Sequence, residues 1–366
     1  VSWIAMRSGM DKQHDLMASV NASLGNHQHA NGISLELYGK GYVLGPDAGI
    51  GRTLYSGLDY LEYYSQMPAH NTVVVDGVSS YPVMMSQHAF KVVASYPEVS
   101  KEQPASKKLS EKKLSIQKDS ELKDKITYAT VSFIEPETQA QQQRTTAIVK
   151  TSAKGGYYID VFRSKKKEGG DKTHDYFYHN LGQEMKVMDA TSGQPIDMKP
   201  TEELAFAGGH LYAYSYIYDS YIYDKKSAEM QNSVKTQFVT KILDDKVVEA
   251  MDGQREITMT MWMKKDENRT IFQALSPVNL EYERMPNQPY KVDEQPVLTF
   301  VARQKGEAWN HPFVTVYEPS SDTEPGDIAS VDFFEPEQKG AVGILVKLKD
   351  GTTQRLVCLE SGTMRF

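Results

Sequence analysis

Tyr157-Tyr158-Ile159-Asp160-Val161-Phe162 is the stretch of sequence that best indicates the fold. Aromatic and β-branched residues fill it, and such residues favour the pleated, half-buried surface of a β-strand. Runs of the same kind recur along the chain with turn residues between them, a pattern typical of an antiparallel sandwich or barrel. No long amphipathic helical pattern is evident, so the sequence predicts an all-β protein. The other predicted strands lie at residues 33–37, 72–75, 127–133, 237–240, 257–262, 297–301, 313–317 and 341–346.

Three shorter features add to the strand pattern. Asp76-Gly77, after the predicted strand at 72–75, is a hairpin-type turn signal. The Lys-, Glu- and Ser-rich residues 101–125 fit either an exposed helix or solvated strand edges and loops, and their strand-like flanks favour the second. Residues 212–223 alternate Tyr with other residues, which predicts a strand with one aromatic face. That face serves either sheet packing or the stacking of sugar rings.

The composition limits the classes of function. The chain has 366 residues, a formal net charge of −7 and a mean hydropathy of −0.52. Its 22 Tyr and 12 Phe can fill a sizeable core. The sequence contains no run of about 18 apolar residues, the length that a membrane-spanning helix needs. The acidic balance argues against a general nucleic-acid-binding protein, because phosphate contacts need a basic surface. A site for an acidic ligand would have to be locally basic.

The predicted domain boundary follows Glu318-Pro319, where acidic, turn-rich residues 320–327 interrupt the strand pattern. We predict a large β-sandwich with a metal site over residues 1–318 and a small β unit over residues 319–366. The chain begins at Val1 without a charged-then-apolar leader, so we expect a processed or engineered start and a fragment of a longer protein. A single cysteine, Cys358, excludes an internal disulfide and a zinc site built from cysteines.

Histidines and an aspartate near the N-terminus are the residues most indicative of chemistry. His27 and His29 lie two apart ahead of a predicted strand, and residues two apart on an extended chain face the same side. Asp47 lies in a Gly- and Pro-rich turn, and His70 opens the strand at 72–75. Imidazole and carboxylate together are ligands of zinc-like cations, with water completing four-coordination. Such a histidine is also often a hydrogen-bonded core residue, so the pattern by itself leaves both interpretations open.

The order of these motifs resembles the heparinase II/III-like domain of polysaccharide lyases, which include heparinases and related alginate lyases. Residues 26–77 share its His-x-His pair followed by a strand, its Pro-Asp-x-Gly turn, a tyrosine-rich stretch and the strand Ala-His-Asn-Thr-Val-Val-Val-Asp-Gly. Weaker similarities follow at residues 158–163, 174–176 and 313–319. The resemblance implies a large antiparallel β-sandwich, or super-sandwich. In this family a helical (α/α) toroid precedes it, and we expect that toroid to be absent from this chain.

The resemblance also implies roles for individual residues. It implies a zinc ion held by His29, Asp47 and His70, with His27 facing the substrate instead of the metal. It further implies a catalytic tyrosine of the sandwich domain, which matches Tyr55, although packing is the commoner role for the tyrosines close by.

Two cations near the site in sequence are candidates for binding substrate. Arg52 and Lys40 could each pair with a carboxylate or sulfate group of the polysaccharide. The alternative for each is an ordinary surface charge.

The implied reaction is β-elimination at a uronic acid of alginate or of a heparin- or heparan-sulfate-like glycosaminoglycan. A base removes the C5 proton, an acid protonates the departing O4, and the carboxylate is neutralised so that the enolate-like intermediate can form. Because the toroid supplies further catalytic residues in this family, we expect the isolated chain to be inactive or nearly so. The family's substrates imply a periplasmic or secreted protein.

Two other functions fit the same residues. The first is a non-catalytic carbohydrate-binding sandwich in which the metal is structural. The second is a metal-dependent hydrolase that uses an open zinc position to activate water. The substrate-facing His27 beside His29 favours the lyase over the binding module, and no obvious general-base carboxylate adjoins the histidines to support the hydrolase.

Overall fold

A computed structural model describes residues 2–26, 29–52, 57–81, 85–98, 122–223, 225, 233–282 and 287–366. Most of these residues lie in antiparallel β-strands. The strands are β1 (Ser2–Arg7), β2 (Met17–Ala22), β3 (Leu24–Asn26), β4 (Ile33–Gly39), β5 (Tyr42–Gly45), β6 (Val73–Val75), β7 (Met85–Gln87), β8 (Lys91–Tyr96), β9 (Ile126–Ile134), β10 (Ala140–Lys150), β11 (Gly156–Lys166), β12 (Thr173–Asn180), β13 (Glu184–Asp189), β14 (Met198–Pro200), β15 (Tyr218–Tyr223), β16 (Ser233–Lys241), β17 (Glu256–Lys264), β18 (Arg269–Ser276), β19 (Val297–Lys305), β20 (Ala308–Ser321), β21 (Ile328–Phe334), β22 (Val342–Leu348), β23 (Thr353–Cys358) and β24 (Met364–Arg365).

The strands form several sheets around one main core. The largest sheet has the order β13-β16-β17-β20-β11-β10-β9-β8, and a six-stranded sheet has the order β14-β15-β18-β19-β12-β6. A four-stranded sheet, β1-β2-β4-β5, and the short pair β3-β7 complete the N-terminal part, while β21 to β24 form a sheet of their own. The all-β prediction is confirmed, and each of the nine predicted strand runs overlaps an observed strand. Seven begin within a residue of the observed start, whereas β16 and β20 begin four and five residues before the predicted runs at 237–240 and 313–317.

Helical structure in the described residues is short. There is one α-helix, α1 (Asp245–Ala250), and a π-helical turn at Tyr60–Tyr64. Single 3₁₀ turns lie at Met67–Ala69, Phe206–Gly208 and Tyr212–Tyr216. In this part of the chain, no helix is both long enough and apolar enough to cross a membrane.

Strand β11 shows how the largest sheet is buried on both faces. Tyr158 and Phe162 belong to the main core, together with side chains of β12 and β19. The alternate residues Tyr157, Ile159 and Val161 belong to a second apolar cluster, shared with the C-terminal sheet β21 to β24. Because both faces are covered, the strand reads as an almost continuous apolar run, which is why its sequence indicates a strand so clearly.

The predicted boundary between residues 318 and 319 falls inside β20, which runs without interruption from Ala308 to Ser321 in the middle of the largest sheet. The separate sheet β21 to β24 begins seven residues after β20 ends. A division into a sandwich of residues 1–318 and a β unit of residues 319–366 remains our proposal.

Two local predictions were wrong. Asp76 and Gly77 do form a turn with positive φ values of 53° and 69°, but β6 before it pairs with β12 and not with the next strand. The tyrosine alternation at 212–223 is a strand only from Tyr218, because residues 212–216 form a 3₁₀ turn closed by the bond from the Tyr214 N–H to the Leu211 carbonyl. The charged stretch at 101–125 lies mainly outside the described residues.

The carboxyl group of Glu318 should make the stability of the fold depend on pH. It is 5% exposed, and its Oε1 accepts the N–H groups of Asp327 and Ile328 at 2.6 and 2.9 Å. Burial raises its pKa from 4.5 to about 7, against the effect of these two bonds. Because the folded-state pKa is the higher one, its contribution is fully present below the unfolded pKa and is lost as the pH rises through about 7. At about 1.4 kcal/mol per tenfold change in proton affinity, the loss is about 3 kcal/mol.

Glu318→Gln keeps the Oε1 acceptor and cannot ionise. We expect its free energy of unfolding to fall less than that of the wild type between about pH 5 and about pH 8, as measured by chemical denaturation. Glu335→Gln is the matched control, because Glu335 is exposed and pairs with Lys264, and it should follow the wild-type profile. Equal pH dependence in Glu318→Gln and wild type would contradict the assignment.

Candidate metal centre

The hairpin of β4 and β5 brings the first two site residues to the same end of the N-terminal sheet. His29 precedes β4 and Asp47 follows β5, so the antiparallel pair returns the chain to the end where it began. His70 lies at the end of the 3₁₀ turn Met67–Ala69, just ahead of β6. One ligand atom from each of the three side chains lies within 4.8 Å of the others. The structure therefore brings together the three residues that the sequence singled out.

His70 is fully buried and has a partner at each ring nitrogen. Nε2 lies 3.0 Å from the Tyr64 carbonyl oxygen, and Nδ1 lies 3.0 Å from Oδ2 of Asp47. Because a carbonyl oxygen only accepts hydrogen bonds, Nε2 must carry a proton. In a neutral imidazole, Nδ1 then presents a lone pair to the carboxylate. Two electron-rich atoms at this distance require either a second proton or a cation between or beside them.

One ring nitrogen of His29 is buried and makes no hydrogen bond within the described structure. Its ring stacks on that of His70, with centroids 4.7 Å apart and an interplanar angle of 18°. Its Nδ1 is buried without a hydrogen-bond partner. Burial, and then the nearby His70, lower the pKa of His29 to about 4. The ring is therefore neutral at neutral pH and can offer a lone pair to a cation.

Asp47 is held through its backbone as well as its side chain. Its N–H donates to Oε2 of Glu36 at 3.4 Å, and its carbonyl accepts Nδ2 of Asn279 at 2.6 Å. Oδ1 accepts the N–H of Gly49, whose φ of 76° closes the turn. Burial would raise the pKa of Asp47, but the charge and hydrogen bond of His70 outweigh it and hold this pKa well below 3.8. The site thus offers a charged carboxylate beside two imidazole rings.

The group that orients His70 belongs to the π-helical turn Tyr60–Tyr64. The Ser65 N–H donates to the Tyr60 carbonyl, five residues back, and the Tyr64 carbonyl at the end of the turn accepts the His70 Nε2–H. Single π-helical turns are often found at functional sites. A carbonyl acceptor of this kind fixes the tautomer and ring orientation of a metal-binding histidine.

The structure places the two candidate substrate-binding cations differently. Arg52 is exposed and lies five residues after Asp47, with its backbone N–H bonded to Asp59. Lys40 is 3% exposed, and its Nζ lies 2.8 Å from Oε2 of Glu324. It follows β4, so the length of that strand, roughly 20 Å at ~3.3 Å per residue, separates it from His29. Lys40 is thus not among the residues gathered at the site.

The other two predicted site residues, His27 and Tyr55, lie outside the described residues. Their roles remain predictions.

Three supporting residues were missed by the sequence reasoning. Glu36 has a pKa that burial raises, and it accepts the Tyr282 hydroxyl as well as the Asp47 N–H. Asn71, next to His70, donates to the Pro46 carbonyl at 3.1 Å. Asn71 could have been suspected from its place in the Ala-His-Asn motif. Asn279 could not, since it is 232 residues from Asp47 in the chain.

The chain is similar to known proteins in sequence and in fold. Residues 14–117 match the family model described as "Heparinase II/III-like, C-terminal". An endo-acting ulvan lyase of Formosa agariphila is 29% identical over 301 residues, which cover 80% of this chain and 32% of the relative. A solved structure of a heparinase III gene product superposes with a TM-score of 0.51 at 12% identity, over 97% of this chain and 40% of that one. The last match shows a shared fold. The chain spans about a third of the length of the curated relative.

Proposed function

We propose that this chain is the β-sandwich part of a polysaccharide lyase. Its matches to the heparinase II/III-like family model and to the ulvan lyase support this proposal, and they confirm the resemblance predicted from the sequence. The proposed reaction is β-elimination at uronic acids of a polysaccharide. The observation that best supports it is the arrangement of His29, Asp47 and His70, in which three ligand atoms lie within 4.8 Å of one another and the buried Nδ1 of His29 has no hydrogen-bond partner.

Zinc is the cation that we propose for this site. Two imidazole nitrogens and one carboxylate oxygen are a ligand set that zinc accepts, with a fourth position left for water or substrate. His29, Asp47 and His70 would hold it, and the Tyr64 carbonyl would fix the tautomer of His70. When bound, the ion supplies positive charge that orders the site and offsets the negative charge of a uronate.

The remaining residues would act on the substrate. We propose that His27 faces the sugar carboxylate or the C5 proton and that Tyr55 takes part in proton transfer, since acid–base groups typically contribute about 10²–10⁴-fold. Arg52, which is exposed and lies five residues after Asp47 in the chain, is our proposed partner for a carboxylate or sulfate group. Lys40 is a weaker proposal for this role, because its ammonium group is already paired with Glu324.

The complete lyase would need more than this chain. Because the curated relative is about three times as long as the matched region, we propose that an N-terminal helical toroid completes the cleft and supplies further catalytic groups. The isolated chain would then be inactive or nearly so. The proposed substrates are heparin- or heparan-sulfate-like glycosaminoglycan and alginate, and the ulvan lyase relative adds ulvan to this group. Because such polymers lie outside the cytoplasm, we propose that the protein acts in the periplasm or outside the cell.

Activity of the longer protein and of this chain on heparan sulfate, alginate and ulvan tests the proposal. β-Elimination creates an unsaturated uronate, so ultraviolet absorbance follows the reaction directly. We expect cleavage of at least one polymer by the longer protein and little or none by the chain alone. Binding of a polysaccharide without cleavage by the longer protein would refute the lyase and favour a carbohydrate-binding sandwich with a structural metal. Release of saturated ends would favour a hydrolase.

A further inference from the structure

We propose that Arg144, held by Asp160, is a positioning residue for the metal centre, an inference that rests on the proposed function of His29, Asp47 and His70. Arg144 lies in β10 and Asp160 in the neighbouring strand β11, and both side chains are buried. This pair belongs to the eight-stranded sheet, whereas the three site residues lie next to β4, β5 and β6. The guanidinium group therefore joins the largest sheet to the backbone that carries the site.

All three nitrogens of the guanidinium group have partners. Nε and Nη2 donate to the two carboxylate oxygens of Asp160, at 2.8 and 2.7 Å. Nη1 donates to the backbone carbonyls of Ile33 and Asn71, both at 2.6 Å. Ile33 lies four residues after His29, and Asn71 directly follows His70. One planar group thus fixes the separation of two chain segments that carry site residues.

Asn71 extends the same network to the third site residue. Its Nδ2 donates to the carbonyls of Leu35 and Pro46, at 2.9 and 3.1 Å, and Pro46 immediately precedes Asp47. Its Oδ1 accepts the N–H of His179 at 2.7 Å. Because Asn71 is fully buried, water cannot replace a hydrogen bond that is lost here. A shift of Asn71 would therefore move the turn that holds Asp47.

Asp160 is itself held from a second side. The hydroxyl of Tyr176, in β12, donates to its Oδ2 at 2.8 Å, and the hydroxyl of Tyr317 lies 2.6 Å from that of Tyr176. The carboxylate is thereby kept in one orientation, and with it the two-point contact to Arg144. A buried ion pair can also serve stability alone. The test must therefore separate metal affinity from stability.

Arg144→Lys keeps a positive charge opposite Asp160, but a single ammonium group cannot contact both carboxylate oxygens and reach both carbonyls. We expect zinc affinity to fall at least about tenfold, as it does when groups that orient metal ligands are removed. Competition with a chromophoric chelator measures the affinity, at a temperature where circular dichroism shows the variant to be folded. The visible spectrum of the Co²⁺-loaded protein should also change, because it reports ligand geometry.

Arg269→Lys is the matched control. Arg269 is also fully buried and donates to the carbonyls of Lys264, His311 and Pro312, none of which adjoins a site residue. It should lose stability and keep the wild-type zinc affinity and Co²⁺ spectrum. If Arg144→Lys does not fold, Tyr176→Phe decides, because it releases one side of Asp160 and should weaken zinc binding in the same direction.

Wild-type zinc affinity in the folded Arg144→Lys variant, or in Tyr176→Phe where that variant decides, would overturn the positioning role. An equal loss of affinity in Arg269→Lys would overturn it as well. Absence of zinc from the wild-type protein gives a different result: it overturns the proposed metal centre, and the positioning role with it.

Discussion

Replacing His70 with alanine is expected to abolish zinc binding and the stabilisation that zinc gives the fold. The change removes one of the three proposed ligands and also leaves the Tyr64 carbonyl without its donor. At a free zinc concentration about a thousandfold above Kd, the stabilisation lost is about 4 kcal/mol. Elemental analysis by mass spectrometry, with chemical unfolding in the presence and absence of a chelator, checks both effects. The wild type should hold close to one zinc ion per chain and respond to chelator, and the variant should do neither.

His174→Ala is the control for loss of a buried histidine. His174 is also fully buried and paired with an aspartate, Asp171, at 2.8 Å, but it lies outside the site. The control should lose stability, retain zinc and still respond to the chelator. A wild-type protein without zinc and without a chelator effect would show that His29, Asp47 and His70 are not a metal site under these conditions.

His27→Ala in the longer protein is expected to abolish polysaccharide cleavage while the metal stays bound. The reason is the proposed division of labour, in which His27 acts on the substrate and His29 on the metal. Loss of an acid–base group costs about 10²–10⁴-fold in rate. His29→Ala should instead lose zinc, stability and cleavage together, because the buried Nδ1 of His29 has no other partner in the described structure. Initial rates, zinc content and unfolding of both variants measure the difference.

His311→Ala should leave all three quantities unchanged, since His311 is half exposed and pairs with Asp266 away from the site. Identical behaviour of His27→Ala and His29→Ala would disprove the division of labour. Retention of cleavage by His27→Ala would remove it from the chemistry altogether.

The strands were predictable because their signal is local. Runs such as 257–262 and 297–301 consist of side chains suited to a pleated surface, and each is a strand in the structure. The strand order was not predictable in the same way, since β20 lies between β17 and β11, its neighbours in space but not in sequence. The tyrosines at 212–216 show the opposite failure, because a period of two can also occur in a 3₁₀ turn whose residues face different sides.

The three proposed metal ligands could be found from the sequence because their motifs are short and ordered along the first eighty residues. The groups that hold these ligands in place could not be predicted from the sequence. Many of them are backbone carbonyls, and every residue has one, so the residue type does not mark which carbonyl is used. The Tyr64 carbonyl that orients His70 and the Ile33 carbonyl that receives Arg144 are examples. Lys40 was proposed to bind substrate because it lies close to His29 and Asp47 in sequence. It lies in the turn of the β4–β5 hairpin, however, at the opposite end of β4 from His29, so closeness in sequence did not mean closeness in space.

The second apolar face of the eight-stranded sheet limits how this protein can be shortened. Ile159, Val161, Val314 and Val316 are kept from water by the strands that follow residue 327. A version ending after β20 would expose these side chains as one contiguous apolar patch, which favours aggregation. Recombinant versions of the sandwich should therefore retain the chain to Phe366, or replace the outward-facing valines and isoleucine with polar residues before the tail is removed.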